Sequence, residues 1–358
     1  MDSSNTKITK ETKNKIVVDY EGKMTAKERL MKKLKASNTW IKTAVNAVRF
    51  ILMLGISYVI LFPFFSKIAG SFMSRADVVD ATVSLVPKNF TLDQYKYIFL
   101  DNHYGEAFLN TLLLAVSCAL IQTFVSCLVG YGLAKFRFKG NKIIMGLVVL
   151  TMVIPHSALD IVMLQQFTHF DILRIMSVSD TGIITMISEA LTGRGIDATN
   201  TFLPFIVMSL GGIAFKNGLY IYMMRQFFKG VPDELEESAY VDGCGTFRTF
   251  LQIILPLSVP MMITIFLFAF SWQWTDQFYT KLFFTIDGAS GGTWMMPDVI
   301  RITESLSFHL KTDFAGRAVY ENVIQSTAGM MIIAPLIIMY LFCQKYLVQG
   351  IERSGLVG

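Results

Sequence analysis

The chain has 358 residues, 53% hydrophobic and only 16% charged, whereas a soluble protein carries about a quarter charged residues. This excludes an ordinary soluble enzyme, and the formal net charge of +5 gives no nucleic-acid-binding surface because the excess sits in one tail. Four scattered cysteines, Cys118, Cys127, Cys244 and Cys343, exclude a disulfide framework.

Residues 1–49 hold twelve Lys/Arg against five Asp/Glu and read as a basic cytoplasmic tail. The first apolar run starts near Phe50, too late for a cleaved signal peptide, so it is expected to remain as an anchor. Six apolar runs are long enough to be read as membrane spans: 50–72, 107–134, 143–167, 202–224, 259–284 and 323–343. The second has no charge. The third contains Pro155, His156 and Asp160, and the fourth a Gly211-Gly212 pair and Lys216, so both are imperfect spans. The expected fold class is all-α integral membrane, with one six-helix domain over 50–345 and a cytoplasmic tail at 346–358.

Lys and Arg set the orientation. The N-terminal tail, the loop with Lys135, Arg137, Lys139 and Lys142, and the segment from Arg225 to Arg248 fall on one side, which places both termini in the cytoplasm. Two long polar segments, Asp171 to Thr201 and Thr285 to Asn322, fall outside and must lie in water or against protein.

The loop at 225–256 has its own local logic. Pro232 suits a first helical turn, and Asp233, Glu234, Glu236 and Glu237 crowd a helix N-terminus, where the dipole favours anions. Gly243 can supply a left-handed C-cap. Phe247, Phe250, Ile253 and Ile254 then recur at helical spacing before Pro256. The expected object is a short surface helix, a sharp turn and a second amphipathic helix.

Glu237-Ser238-Ala239, Gly243 and Ile253-Ile254-Leu255-Pro256 match the EAA loop of ABC importer permeases in residue type and spacing, with Ser238 as the one departure. Arg225-Gln226-Phe227-Phe228, Asp242-Gly243, Asn110-Thr111 and Tyr131 to Gly140 resemble the carbohydrate-uptake branch, the maltose-type permeases. The chain departs from that branch at Trp274-Thr275-Asp276, in its last residues and in its expanded outer segments. The resemblance implies a multi-pass subunit of a bacterial cell membrane importer, partnered by a second permease, two ABC ATPase subunits and an extracytoplasmic solute-binding protein. It further implies that ATP and Mg sit on the ATPases, that this chain binds no cofactor or metal, and that it is not an enzyme. The residues it implies for ATPase coupling are Glu236, Glu237, Ser238, Ala239, Asp242, Gly243, Ile253, Leu255 and Pro256.

Ionisable groups within apolar runs are functional candidates by default. Asp160 and Lys216 are therefore candidates for the translocation pathway, set against a structural ion pair or a snorkelling side chain. Counted along unbroken helices, they lie at mismatched depths. Trp272, Trp274, Asp276 and Phe278 form an aromatic and acidic group suited to stacking on a sugar ring, although a membrane interface is the favoured reading of such a group. His103, His156, His169 and His309 show no metal spacing, and no chemistry is assigned to them. The expected cargo is an oligosaccharide, with glycerol-phosphate or peptide as alternatives on the same machinery. A secondary transporter is less favoured, because neither inverted repeats nor ion-coupling acids are evident.

Overall fold

The structure is a computed structural model and describes residues 9–11, 17–19, 37–168, 198–284, 292–310 and 316–353. It divides into two compact units, Met1–Ser66 and Lys67–Gly358. In the first, a short antiparallel pair, β1 (Thr9–Glu11) and β2 (Val17–Asp19), precedes most of helix α1 (Ser37–Gly70). These strands are a small exception to the all-α expectation. Helix α1 begins well before Phe50, and its apolar side chains through Phe65 are exposed.

The second unit is helical. After α1, a turn joined by a Met73–Phe90 bridge carries α2 (Arg75–Val79) and leads to α3 (Asp93–Leu100). Asp77 braces this turn, accepting from the Asn89 backbone N–H at 2.7 Å and from Asn89 Nδ2 at 2.8 Å; those bonds, the backbone one foremost, hold its carboxyl below the usual range. Buried Gln94 donates to the carbonyls of Gly70 and Met73 and accepts from Thr327.

The central element is α4 (Tyr104–Lys135), whose buried face is mostly small: Ala107, Ala115, Cys118, Ala119, Ser126, Cys127 and Gly130. Small residues let helices approach closely where lipid supplies no hydrophobic drive between them. A Cβ at Gly130 would lie 2.6 Å from Met224 Cβ and 3.0 Å from the Arg225 backbone nitrogen, so the crossing there requires glycine. Around α4 pack α8 (Asn217–Lys229), α11 (Leu255–Trp274) and α7 (Leu203–Leu210). Helix α14 (Arg317–Arg353) packs on α11 and contains Pro335. A proline at 335 leaves the carbonyl of residue 331 without its helical donor. Tyr104 Oη donates to that Met331 carbonyl at 3.1 Å, and Trp274 Nε1 donates to the adjacent Ile332 carbonyl at 2.9 Å.

Among the described residues, four helices are long and apolar enough to cross a membrane: Trp40–Gly70, Tyr104–Lys135, Thr246–Trp274 and Arg317–Val348. The runs expected as spans three and four are each broken. The third forms α5 (Asn141–Val153), a 3-10 turn at His156–Ala158 and α6 (Asp160–Thr168). Pro155 causes this break: it has no N–H and forces the extended conformation seen at Ile154. The fourth forms α7 and α8, separated by Gly212 at φ +70° and Lys216 at φ +65°. The fifth ends at Trp274, and α12 (Phe278–Phe283) follows.

The outer segment from Thr285, expected to lie in water or against protein, is packed against protein where it is described. Met295 to Val299 are buried, Asn102 Nδ2 donates to the carbonyls of Val299 and Arg301, and Thr111 Oγ1 accepts from the Met296 N–H. Helix α13 (Glu304–His309) follows, capped by Thr303. The other long segment, Asp171 to Thr201, lies almost wholly outside the described residues.

Candidate functional site: a clamped loop and a polar break in the spans

At one end of the unit, α8 leads through Gly230 into α9 (Glu234–Val241), a left-handed Gly243 at φ +82°, α10 (Thr246–Thr249) and a π-helical turn at Phe250–Ile254. The turn runs directly into Pro256 in the first turn of α11. A wide π turn is one way to pass a proline whose ring clashes with the preceding helical carbonyl. The turn also buries Phe250 and Ile254 fully, with Ile253 and Leu255 packed partly against the same core and Pro256 exposed.

Lys135, at the last turn of α4, holds this loop. Its Nζ donates to the Val231 carbonyl at 2.7 Å and to Asp233 Oδ1, and lies 3.7 Å from Glu236 Oε1. The Lys135 and Glu236 side chains are 7% and 11% exposed, so this pair is largely removed from water. Tyr131 Oη donates to Glu236 Oε2 from a ring cluster with Phe228, Phe250 and Phe136. The Lys135 ammonium keeps the Asp233 carboxyl below the usual carboxylate range. The opposite face of α9 is open: Glu237, Ser238 and Asp242 are exposed, Val241 is 87% exposed, and Phe247 beyond the turn is 74% exposed.

The second feature lies where the third and fourth runs break. A narrow cleft there, with room for about one water in this conformation, is lined by Gln122, Phe215, Trp272, Gln273, Asp276 and Tyr279, among others. Lys216 Nζ lies 4.8 Å from the Phe215 ring centroid and 5.2 Å from that of Trp272. His156 Nδ1 and Tyr279 Oη share a hydrogen bond, and the His156 ring packs on Phe215 at 4.8 Å. Three polar atoms here are buried without a partner among the described residues: Asp160 Oδ1, Gln273 Nε2 and Asn217 Nδ2.

The comparisons decide the class. Residues 122–353, well over half of the chain, match the family described as binding-protein-dependent transport system inner membrane component. The chain belongs to that family. Protein LplC of Bacillus subtilis is 26% identical over 90% of this chain and 97% of its own length. The B. subtilis polygalacturonan/rhamnogalacturonan transport system permease protein YtcP is 27% identical over 86% of this chain and 96% of its own. Among solved structures, a bacterial ABC transporter involved in import of the acidic polysaccharide alginate has a chain of the same fold, with a TM-score of 0.60 at 20% identity, covering 87% of this chain and 98% of that one. The protein is thus a membrane permease subunit, not an enzyme, with the all-α architecture of its class.

Within the permease, the sequence-predicted residues divide. Gly243 takes the left-handed conformation expected of it, and Glu237, Ser238 and Asp242 are presented outward. Glu236 and Ala239 face inward: Ala239 is 3% exposed within this chain, so it packs on its own fold instead of being offered to a partner. Helical periodicity explains this, since 236 and 239 share the face opposite 237, 238 and 241. Trp272 and Asp276 line the cleft, but Trp274 is fully buried against Phe108 and Phe270, and Phe278 is packed beside Tyr279. Asp276 is committed to the N-terminus of α12, accepting from the N–H groups of Phe278, Tyr279 and Thr280 at 3.1, 3.3 and 2.9 Å.

Asp160 and Lys216 form no ion pair among the described residues, yet both lie within electrostatic reach of His156. The depth mismatch expected from unbroken helices therefore does not hold, because both runs are interrupted next to these residues. Sequence reasoning missed Lys135, Tyr131, His156 and Tyr279. The signal for the first two was Tyr131 one helical turn before Lys135 at a span end, and for His156 its place directly after a span-breaking proline.

Proposed function

We propose that the permease moves an oligosaccharide delivered by an extracytoplasmic binding protein, by alternating access driven by a separate ATPase pair through the helix at 233–243. The observation that carries this reading is the two-sided construction of α9: its inner face is tied to α4 by Lys135, and its outer face, with Glu237, Ser238 and Val241, is uncovered. An exposed face of that kind fits an ATPase cleft, with Glu237 and Asp242 as polar contacts and Val241 and Phe247 as apolar ones. Movement imposed on α9 reaches α4 through Lys135, and reaches α11 through the packed π turn of Phe250–Ile254, Leu255 and Pro256. The second permease, the ATPase pair carrying ATP and Mg, and the binding protein complete the machine, and both termini face the cytoplasm with the basic loops. Carbohydrate cargo is supported by the name of the polygalacturonan/rhamnogalacturonan relative.

The test is Val241→Arg together with Glu237→Lys, changes confined to the uncovered face. The altered chain should insert normally and keep its second permease, while co-purified ATPase and substrate-stimulated hydrolysis collapse. Full ATPase association and full stimulation in the double variant would exclude this face as the coupling surface.

A further inference from the structure

Next to the cleft at the broken spans, over the rings of two of its lining residues, sits a charge that the coupling mechanism does not use. Lys216 is the residue immediately before α8, so its ammonium sits at the positive end of a helix dipole, where a cation is disfavoured and an anion favoured. Its backbone is held at φ +65°, in the left-handed region that disfavours a non-glycine residue. Helix α8 continues from there to Lys229, which sets Lys216 ~20 Å from the cytoplasmic end of the helix. Gln122, on the cleft wall, is the same number of residues from Lys135 at the corresponding end of α4. The two counts agree on a depth well beyond the reach of inner-leaflet headgroups, within a hydrocarbon layer of about 30 Å.

An ammonium at that depth needs a partner. Among the described residues Lys216 has no ion pair or hydrogen bond; its Nζ rests over the rings of Phe215 and Trp272, both of which line the cleft. Gln273 Nε2, on the same wall, is a buried donor with no acceptor. Gln122 and Tyr279 add further polar groups, and Trp272 offers a half-exposed aromatic face. A cation, an unsatisfied amide donor and an aromatic face together match one ligand chemistry: a sugar ring bearing a carboxylate. With the spans parted, such a ring would stack on the indole, with the amide on one of its oxygens and the ammonium on its anionic group.

Two acids face the same region and set the opposing field. The oxygens of Asp276 are already filled by three backbone N–H groups and Thr280 Oγ1. Asp160, whose Oδ1 is buried without a partner, lies near His156 and Tyr279 and makes no ion pair with Lys216 among the described residues.

We propose that this cleft is a passage site for acidic sugar units, and that Lys216 is its specificity-determining residue. The proposal builds on the importer reading and adds the charge of the cargo. It is tested on the assembled complex in nanodiscs of phosphatidylcholine alone, which removes anionic lipid as a rival ligand. Preparations are first required to contain the ATPase, so that failure to assemble counts against the importer reading and leaves this one separate. In a Cys244→Ser, Cys343→Ser background, Gln273→Cys places a thiol on the cleft wall. Its rates with an anionic and a cationic methanethiosulfonate reagent are compared with those of a free thiol.

The anionic reagent should be favoured about tenfold over the free-thiol ratio, the preference should vanish in Lys216→Met, and it should persist in Lys216→Arg. Trigalacturonate should slow the labelling, and neutral galactotriose should not. A cationic preference, or a ratio unchanged by Lys216→Met, would mean that Asp160 and Asp276 dominate the cleft and would overturn the proposal. Equal protection by both trisaccharides, or protection by neither, would overturn it as well.

Discussion

Lys135 and Lys216 are both lysines near helix ends, and their surroundings differ in one respect that matters. Lys135 meets a carbonyl and two carboxylates, and Tyr131 donates to Glu236 Oε2, while Glu236 Oε1 is held by the lysine charge alone at 3.7 Å. Lys216 meets two aromatic rings of a cleft whose wall also carries the unpaired amide donor of Gln273. A charge held by opposite charges resists rearrangement, which suits a part that must pass on force as a rigid body. A charge without a counter-charge is open to a visitor. The contrast separates transmission from passage, and it can be broken at either pole.

The largest effect is expected at the ion-paired pole. Removing one partner of a mostly buried ion pair leaves the other charge stranded, at a cost of roughly 3 kcal/mol. Lys135→Met should therefore loosen α9 from α4 and lower substrate-stimulated hydrolysis of the assembled complex at least tenfold, with unstimulated hydrolysis little changed. Adding Glu236→Gln should return part of the loss, because the stranded carboxylate is then gone, and a double-mutant cycle on hydrolysis rates measures how much. If the double variant is no better than Lys135→Met alone, the pair is not what joins the two helices.

Next comes the helix crossing beneath the clamp. A Cβ at Gly130 would meet Met224 Cβ and the Arg225 backbone, atoms that cannot rotate aside. Gly130→Leu should cost about 2–3 kcal/mol through overpacking and appear as a lower melting temperature of the purified subunit pair. Gly243→Leu should be milder, about 1–2 kcal/mol, since a Cβ there meets nothing within 4 Å and only the left-handed backbone is strained. Gly243→Asn should be nearly silent in ATPase association, because asparagine tolerates that conformation; a defect in Asn as large as in Leu would point to a contact made by the glycine itself.

The same contrast explains what the sequence could and could not convey. The loop was readable because its signals are local: acids at a helix start, a glycine at φ +82° and a proline opening α11 all act within a few residues. The long helices α4, α11 and α14 were readable from apolar length alone. The inward turn of Glu236 and Ala239 was latent in the helical period but could not be assigned until Lys135, about a hundred residues earlier, was known to lie beneath it. The cleft was the least readable part. Its walls come from α4, the α7–α8 break and α11–α12, and Pro155 and Gly212 shift His156 and Lys216 away from the depths that unbroken helices would give. Trp274 and Trp272 look equivalent in sequence, yet one donates to the Ile332 carbonyl in the core and the other faces the cleft.

The smallest expected effect is at Asp276, which lies on the boundary between the two regimes because it lines the cleft while serving as a cap. As a cap it satisfies N–H groups that the first turn of α12 cannot pair internally, and losing such a cap costs about 1 kcal/mol. Asp276→Ala should therefore lower the melting temperature of the complex slightly, while Asp276→Asn, which keeps an acceptor oxygen in place, should stay close to the unaltered protein. Transport distinguishes the cap from a direct role in passage. If Asp276 only positions α12, Asn at this site should move oligosaccharides at an unchanged rate, and the anionic labelling preference at the cleft wall should rise modestly as a nearby negative charge is removed. If Asp276 itself holds the cargo, Asn should impair uptake several-fold with no loss of stability. An uptake defect of that kind would move Asp276 from the satisfied class to the passage class and place the cargo contact on both sides of Trp272.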